Sequence, residues 1–278
     1  LLSLSFCKKS YISELIKFLS NRKGVVGIEE AARTKFFLSL KSSLKCLRLK
    51  PSGVLSELRM VKDKQEAASI SKALEVTKQS IEVLSKRLIG KTEIEVQGLI
   101  EYEFKKRFAE RSAFTPIVAS GSRSALPHAK ATSHIIKKSD GWVLIDSGAV
   151  VDGYCSDLTR MFFWDRIPKI IKKAYGAIEQ AKEEAELSIA EGVKISTVVS
   201  KAENIIEKAG FKKAISHSLG HGIGLEIHEA PALSRSSKMS FKEGMVVTLE
   251  PGVYLPGLGG VRVEDVVYVD KKGCRRLS

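Results

Sequence analysis

Asparagine occurs twice and glutamine four times in 278 residues, against 46 Lys and Arg and 32 Asp and Glu. Such a scarcity of amides beside plentiful charge is common in heat-adapted proteins. Cysteine is sparse too: Cys7, Cys46, Cys155 and Cys274 are far apart and form no CxxC pair. That spacing argues against a zinc ribbon or a disulfide framework, and a reducing, cytoplasmic setting is the expectation. No window stays apolar for about 18 residues, so no transmembrane helix is expected. The opening LLSLSFCKKS lacks a basic leader and a small-residue cleavage pattern, which speaks against a secretory signal. An initiator Met is missing as well, which points to a trimmed amino terminus.

What remains is the composition of an ordinary globular protein, 44% hydrophobic and 28% charged with 21 glycines. The length suits one large domain, or a large one and a small one. A net charge of +14 raises the question of nucleic acid. The lysines, however, are spread along the chain and often alternate with glutamates, as in IIKKAYGAIEQAKEEAE, and no aromatic-basic stacking motif accompanies them. Solvated helix faces explain the charge, and nucleic acid is expected to bind only weakly.

Hydrophobic periodicity divides the chain into a front segment, 1–53, and a body, 54–278. In the front, 11–20 and 31–40 have helical spacing and flank VVGIEE, which reads as a strand, giving a short α/β unit. Pro51 and Gly53 in LKPSG, 49–53, are expected to break regular structure and supply a linker. The body opens with a helix whose Ile70, Leu74, Ile81, Leu84 and Leu88 make one apolar face, stopped by Gly90. A capping box from Thr92 to Glu95 then starts a second helix, running to about residue 110. Strand patterns follow at TPIVAS and GWVLIDSGAVVDGYCSDLTRMFFW, helices at 168–191 and about 196–209, and strands again at GMVVTLE and VRVEDVVYV. This order of two helices then strands, met twice, predicts an α+β body of two similar halves sharing one sheet system.

Four carboxylates fall in apolar surroundings. Asp146 ends the run WVLID, Asp157 lies where a hairpin could return it beside Asp146, Glu250 ends GMVVTLE, and Glu264 falls within VRVEDVVYV. Each alone could face solvent or an arginine, and Arg262, two residues from Glu264 on the same strand face, could pair with it. Together with the glycine-wrapped histidines of HSLGHGIGLEIHE, the acids are better explained by divalent cations, with His221 adding a nitrogen ligand.

The segments PHAKAT (127–132), IDSGAVVDGYCSDLTR (145–160), HSLGHGIGLEIHEAP (217–231), GMVVTLEPGVY (244–254) and GLGGVRVEDVVYV (257–269) resemble the pita-bread metallopeptidases. That family includes methionine aminopeptidase, aminopeptidase P and prolidase, and the resemblance spans about residues 57–275. It implies a pita-bread fold of two pseudo-symmetric halves, behind a front segment shorter than the amino-terminal domain of the proline-specific branch. It places the five metal ligands on Asp146, Asp157, His221, Glu250 and Glu264. Two divalent ions are implied, manganese first, with cobalt, iron or zinc as alternatives.

In the same way the resemblance makes Glu250 a proton carrier as well as a ligand. His128 and His228 become donors to the substrate and the tetrahedral intermediate, and Arg262 a support for a metal-bound carboxylate. His134 has no counterpart and reads as a surface histidine. His217, four residues before His221, together with GGVRVED, resembles the proline-specific enzymes rather than methionine aminopeptidases. The implied activity is cleavage of an amino-terminal residue from a following proline, as an Xaa-Pro aminopeptidase; the alternative is an Xaa-Pro dipeptidase. Its partner would be a peptide with proline at the second position. The short front segment leaves the peptide length and a homodimeric state open. Methionine aminopeptidase-like activity, or a non-catalytic relative binding protein or nucleic acid, are the remaining readings, the last disfavoured because no ligand is substituted.

Overall fold

A computed structural model describes residues 10–164 and 166–278. It divides into two compact units, one ending at Leu58 and the other running from Arg59 to Ser278. The first contains α1 (Tyr11–Leu19), β1 (Gly24–Glu29), α2 (Thr34–Ser43) and β2 (Leu47–Ser52). Strands β1 and β2 pair in parallel, with α2 as the crossover, and Leu19, Ile28, Leu40 and Leu44 form the core. The expected linker is corrected here, because 49–52 belongs to β2, opposite Val26 to Glu29. In a two-stranded sheet each strand keeps one unpaired edge, so Pro51 can join without costing a ladder bond. Helix α2 also starts later than the apolar spacing suggested, at Thr34, after a turn at 30–32. Helix α3 (Val54–Met60) follows at once.

The second unit opens with α4 (Lys64–Ser85) and α5 (Glu93–Lys106). Asp63 caps α4 by accepting from the Gln65 and Glu66 amides, and the Glu66 carboxylate answers to the Asp63 N–H at 2.8 Å. Thr92 and Glu95 form the capping box expected of α5, whose end comes four residues early, where Phe108 adopts a positive φ of 63°. Short strands β3 (Arg111–Ser112), β4 (Ile117–Ser120), β5 (Trp142–Ser147), β6 (Ala149–Val151), β7 (Tyr154–Cys155) and β8 (Leu158–Phe163) complete the first half.

The second half repeats the plan with α6 (Lys169–Ser188) and α7 (Ile195–Lys208), followed by β9 (Gly220–Gly222), β10 (Glu229–Leu233) and β11 (Val246–Leu249). β12 (Gly252–Leu255), β13 (Gly259–Arg262), β14 (Asp265–Asp270) and β15 (Gly273–Arg276) end the chain. The body is thus α+β. Among the described residues its halves do not share one hydrogen-bonded sheet: β4-β5-β8 is one and β10-β9-β11-β14-β15 another. A buried cluster joins them instead, with Ile70 and Leu74 of α4 packed among Ile223, Val246 and Val266.

VRVEDVVYV is not one strand. β13 pairs with β12 and β14 with β11, and Val263 and Glu264 lie where the chain passes from one sheet to the other. Among the described residues no helix is long and apolar enough to cross a membrane.

Candidate metal centre

Antiparallel pairing of β5 with β8 sets Asp146 opposite Thr159, which brings Asp157, one residue before β8, to the same end of the sheet. His221 sits at the centre of β9 because glycines flank it. A Cβ on Gly220 would lie 2.0 Å from the Thr248 carbonyl oxygen, and one on Gly222 2.2 Å from that of Ala230. Glu250 follows β11, and Glu264 occupies the passage between sheets. All five line one cavity of about 700 Å³, together with His128, His217, His228 and Arg262.

Asp157, His221 and Glu264 each offer a ligand atom within 4.8 Å of the others. His221 Nε2 is 3.6 Å from Asp157 Oδ2 and 3.5 Å from Glu250 Oε1. Its Nδ1 donates to the Gly222 carbonyl at 3.0 Å, which fixes the tautomer and leaves the Nε2 lone pair facing the acids. Asp146 Oδ1 and Glu264 Oε1 are buried without a hydrogen-bond donor among the described residues. Such oxygens are costly unless something positive reaches them. Burial and the charges of Glu264, Asp146 and Glu250 push Asp157 well above the usual carboxylate range, and burial with Glu250 and Asp146 does the same to Glu264. Burial raises Glu250 to about 7 and lowers His221 to about 4. A set of oxygens and one neutral imidazole, short of positive charge, fits hard or borderline divalent ions.

Arg262 does not pair with Glu264, as its spacing had allowed. Its guanidinium reaches Asp146 Oδ2 at 2.6 Å, Thr159 Oγ1 at 3.1 Å, the Pro127 carbonyl at 3.1 Å and the Tyr254 hydroxyl at 2.6 Å. Tyr254, whose role no sequence motif indicated, donates a hydrogen bond from its hydroxyl to His217 Nε2 at 2.8 Å, while His217 Nδ1 donates to the Ser218 carbonyl. His217 is therefore a neutral imidazole held in a chain that ends at Asp146, and burial lowers its pKa. The one available clue to Tyr254 was its place four residues after Glu250 in a segment of known type.

His228 stacks edge-on against His221, ring centres 4.4 Å apart, and His128 faces the cavity with no hydrogen bond among the described residues. His134 lies outside the cavity lining and meets Asp140 at 3.1 Å.

Residues 66–271 match the profile of metallopeptidase family M24. The chain belongs to this family. It is 37% identical over 269 residues to an Xaa-Pro dipeptidase of Pyrococcus horikoshii, covering 96% of this chain and 76% of that protein. Among solved structures it is similar to a prolidase from Pyrococcus furiosus, with a TM-score of 0.89 and 36% identity over 98% of this chain and 80% of that one. The X-Pro aminopeptidase from Thermotoga maritima gives 0.87 and 34%, over 97% and 77%. The fold is accordingly the pita-bread fold of the M24 peptidases.

One further group in this M24 domain escaped the sequence. Glu229, next to His228, is half-buried with its side chain largely covered, and accepts from Arg59, from Lys62 Nζ at 3.1 Å and from the Glu226 amide at 3.0 Å, which closes the turn 224–229. Burial works against its charge, yet Lys62, Arg59 and the amide hold it below its usual 4.5. Lys62 is also lowered, because desolvation outweighs Glu229 there. The carboxylate, which gathers three donors, is thus the member of the pair that gains. A depressed folded pKa stabilises above the unfolded value, and that contribution is lost as pH falls through the folded value. Glu229→Gln is expected to melt lower than the wild type at pH 7, with the two curves converging below about pH 4.5. Melting curves from pH 3 to 8 check this, and a gap independent of pH would contradict it.

Proposed function

We propose that this chain hydrolyses the bond between an amino-terminal residue and a following proline, acting on dipeptides as an Xaa-Pro dipeptidase. What carries the metallopeptidase half of this reading is the convergence of Asp157, His221 and Glu264, where two buried carboxylate oxygens, of Asp146 and Glu264, lack a donor among the described residues. Similarity to the Xaa-Pro dipeptidase of Pyrococcus horikoshii over nearly the whole chain supports the dipeptide limit over the aminopeptidase reading. The likeness to the Thermotoga maritima X-Pro aminopeptidase keeps the longer substrate as the second reading.

In this reading Asp146, Asp157, His221, Glu250 and Glu264 hold two divalent ions, manganese first and cobalt, iron or zinc as alternatives. Bound there, such ions supply Lewis acidity to the scissile carbonyl and to the attacking water. Glu250 takes up a proton on its carboxylate and passes it to the proline nitrogen, which has no hydrogen of its own and cannot depart without one. His128 and His228 donate to the oxygen on which charge develops. Arg262 and Tyr254 keep Asp146 and His217 in place.

Lys130 favours the shorter substrate. It is exposed on the cavity wall, and its ammonium has no ion pair or hydrogen bond among the described residues. A dipeptide presents its free carboxylate close to the reacting bond, and Lys130 suits it. Lys130→Met is expected to raise KM for Ala-Pro about fivefold, the size of an exposed ion pair worth about 1 kcal/mol. Any hydrolysis of Ala-Pro-Ala-Ala should be unaffected.

The deciding experiment offers Ala-Pro, Ala-Pro-Ala-Ala and Met-Ala-Ser separately to metal-stripped protein, before and after Mn2+ is restored. Metal-dependent cleavage of Ala-Pro alone supports the dipeptidase. Cleavage of the longer proline peptide installs the aminopeptidase, and cleavage of Met-Ala-Ser alone refutes both.

A further inference from the structure

His128 has no hydrogen-bonding partner among the described residues, so the backbone of its loop must place it. That loop leaves β4 at Ser120 and returns at Thr132, and both ends converge on one side chain. Glu93, the first residue of α5, is fully buried. Its Oε1 accepts from the Ser120 amide at 2.9 Å, the Ser120 hydroxyl at 3.0 Å and Arg123 Nε at 3.1 Å. Its Oε2 accepts from Arg123 Nε at 2.9 Å, the Thr132 amide at 3.2 Å and the Thr132 hydroxyl at 2.9 Å.

Arg123 extends the same connection across the loop, since its Nη2 donates to the Lys130 carbonyl at 2.7 Å. The outgoing limb has two further anchors: Ser124, which bonds Gly260 and Trp142, and the Pro127 carbonyl, which accepts from Arg262 at 3.1 Å. On the return limb, just past His128, the long-range bonds among the described residues are those to Glu93 and Arg123, apart from the Ile94 amide to the Thr132 carbonyl at 3.0 Å. A carboxylate committed to this many donors, while itself outside the cavity lining, is more than a helix-start residue needs.

We propose that Glu93 is a positioning residue for the hydrolytic reaction, clamping the two ends of the loop 120–132 so that His128 is held towards the substrate. This rests on the reading of His128 as a substrate-facing donor, and the test separates the two. The variants are Glu93→Gln, which keeps the volume but withdraws the charge and half of the acceptors, and Thr132→Val, a milder change that deletes one hydroxyl donor. With Mn2+ and Ala-Pro, Glu93→Gln is expected to lower kcat about 10- to 100-fold, with KM within about threefold and metal content unchanged, as for a displaced catalytic donor. In a His128→Ala background the same substitution should cost almost nothing further.

Equal loss in both backgrounds would overturn the clamp and leave the role of His128 standing; a His128→Ala variant as active as the wild type would overturn both. Amide exchange provides a readout that needs no substrate and survives failure of the functional reading. Residues 121–131 should exchange at least about tenfold faster in both variants while α4 and α6 keep their protection. Unchanged exchange there overturns the proposal. Should Glu93→Gln fail to fold, Thr132→Val carries both tests, with a severalfold fall in kcat expected.

Discussion

Glu264→Gln is expected to abolish turnover and metal retention while raising the melting temperature of the chelator-treated protein. In the absence of a cation, burial and the neighbouring acids hold the Glu264 pKa well above its unfolded value of 4.5. A carboxyl raised in this way contributes stability below pH 4.5, and the contribution disappears as pH climbs through the folded value. At neutral pH the metal-free wild type therefore carries a repulsion that the neutral amide removes. The glutamine carbonyl can still accept from Thr159 Oγ1, now 2.9 Å from Oε2, and its NH2 offers adjacent carboxylates a donor. With Mn2+ the order reverses, because the wild type gains from binding and the variant does not. Activity should fall by at least about 10³-fold, the several kcal/mol that Lewis-acid assistance supplies. Elemental analysis and paired melts with and without EDTA check this. A metal-free variant that melts below the metal-free wild type would sink the account of the site as a cluster short of positive charge.

Arg262→Met is expected to be the costliest single change to stability in the site. The buried guanidinium satisfies Asp146, Thr159, the Pro127 carbonyl and Tyr254 at once. Its removal leaves a buried carboxylate without its partner, a change that costs about 3–5 kcal/mol and lowers the melting temperature by roughly 10 °C in a domain of this size. Lysine should not rescue it, since one ammonium cannot reproduce a fork with four acceptors. Adding Asp146→Asn should restore part of the loss in metal-free protein. The deficit should also be smaller with Mn2+ present, when ions replace the lost positive charge beside Asp146. Thermal melts of the single and double variants decide it, and a loss within about 1 kcal/mol of zero would contradict the role given to Arg262.

Much of this was legible before any coordinates. Asp146, Asp157, His221, Glu250 and Glu264 stood out because acids in apolar strands and a histidine between glycines are hard to explain separately, and the structure brings all five to one cavity. Local signals placed elements well where a side chain sets the boundary, as with Thr92 and Glu95 at the start of α5. They failed where tertiary pairing decides. LKPSG looked like a linker because Pro and Gly break isolated segments, but the other strand of a two-stranded sheet overrides that. VRVEDVVYV alternates without interruption, so nothing local marks the change of sheets at Val263 and Glu264. The partners of Arg262 were beyond reach for a related reason: Asp146 is 116 positions away, and only the tertiary approach of β13 to the β4-β5-β8 sheet could choose it over Glu264. Glu93 and Glu229 were invisible because a buried carboxylate at a helix start or beside a histidine looks the same in a sequence as a solvated one.

The passage at Val263 and Glu264 also bears on how the protein comes apart. The first half contributes Asp146 and Asp157 and the second His221, Glu250 and Glu264, and the Glu264 amide meets the Thr159 carbonyl across the boundary at 3.3 Å. Neither half alone can encircle an ion. Whatever free energy cations gained by binding here would also resist separation of the halves, so a bound metal would act as a fastener along the seam. Loaded, the body should respond to heat or denaturant as one cooperative block; emptied, it should lose that added hold, leaving the buried cluster around Ile70 and Leu74 and the Arg262–Asp146 bond to keep the halves together.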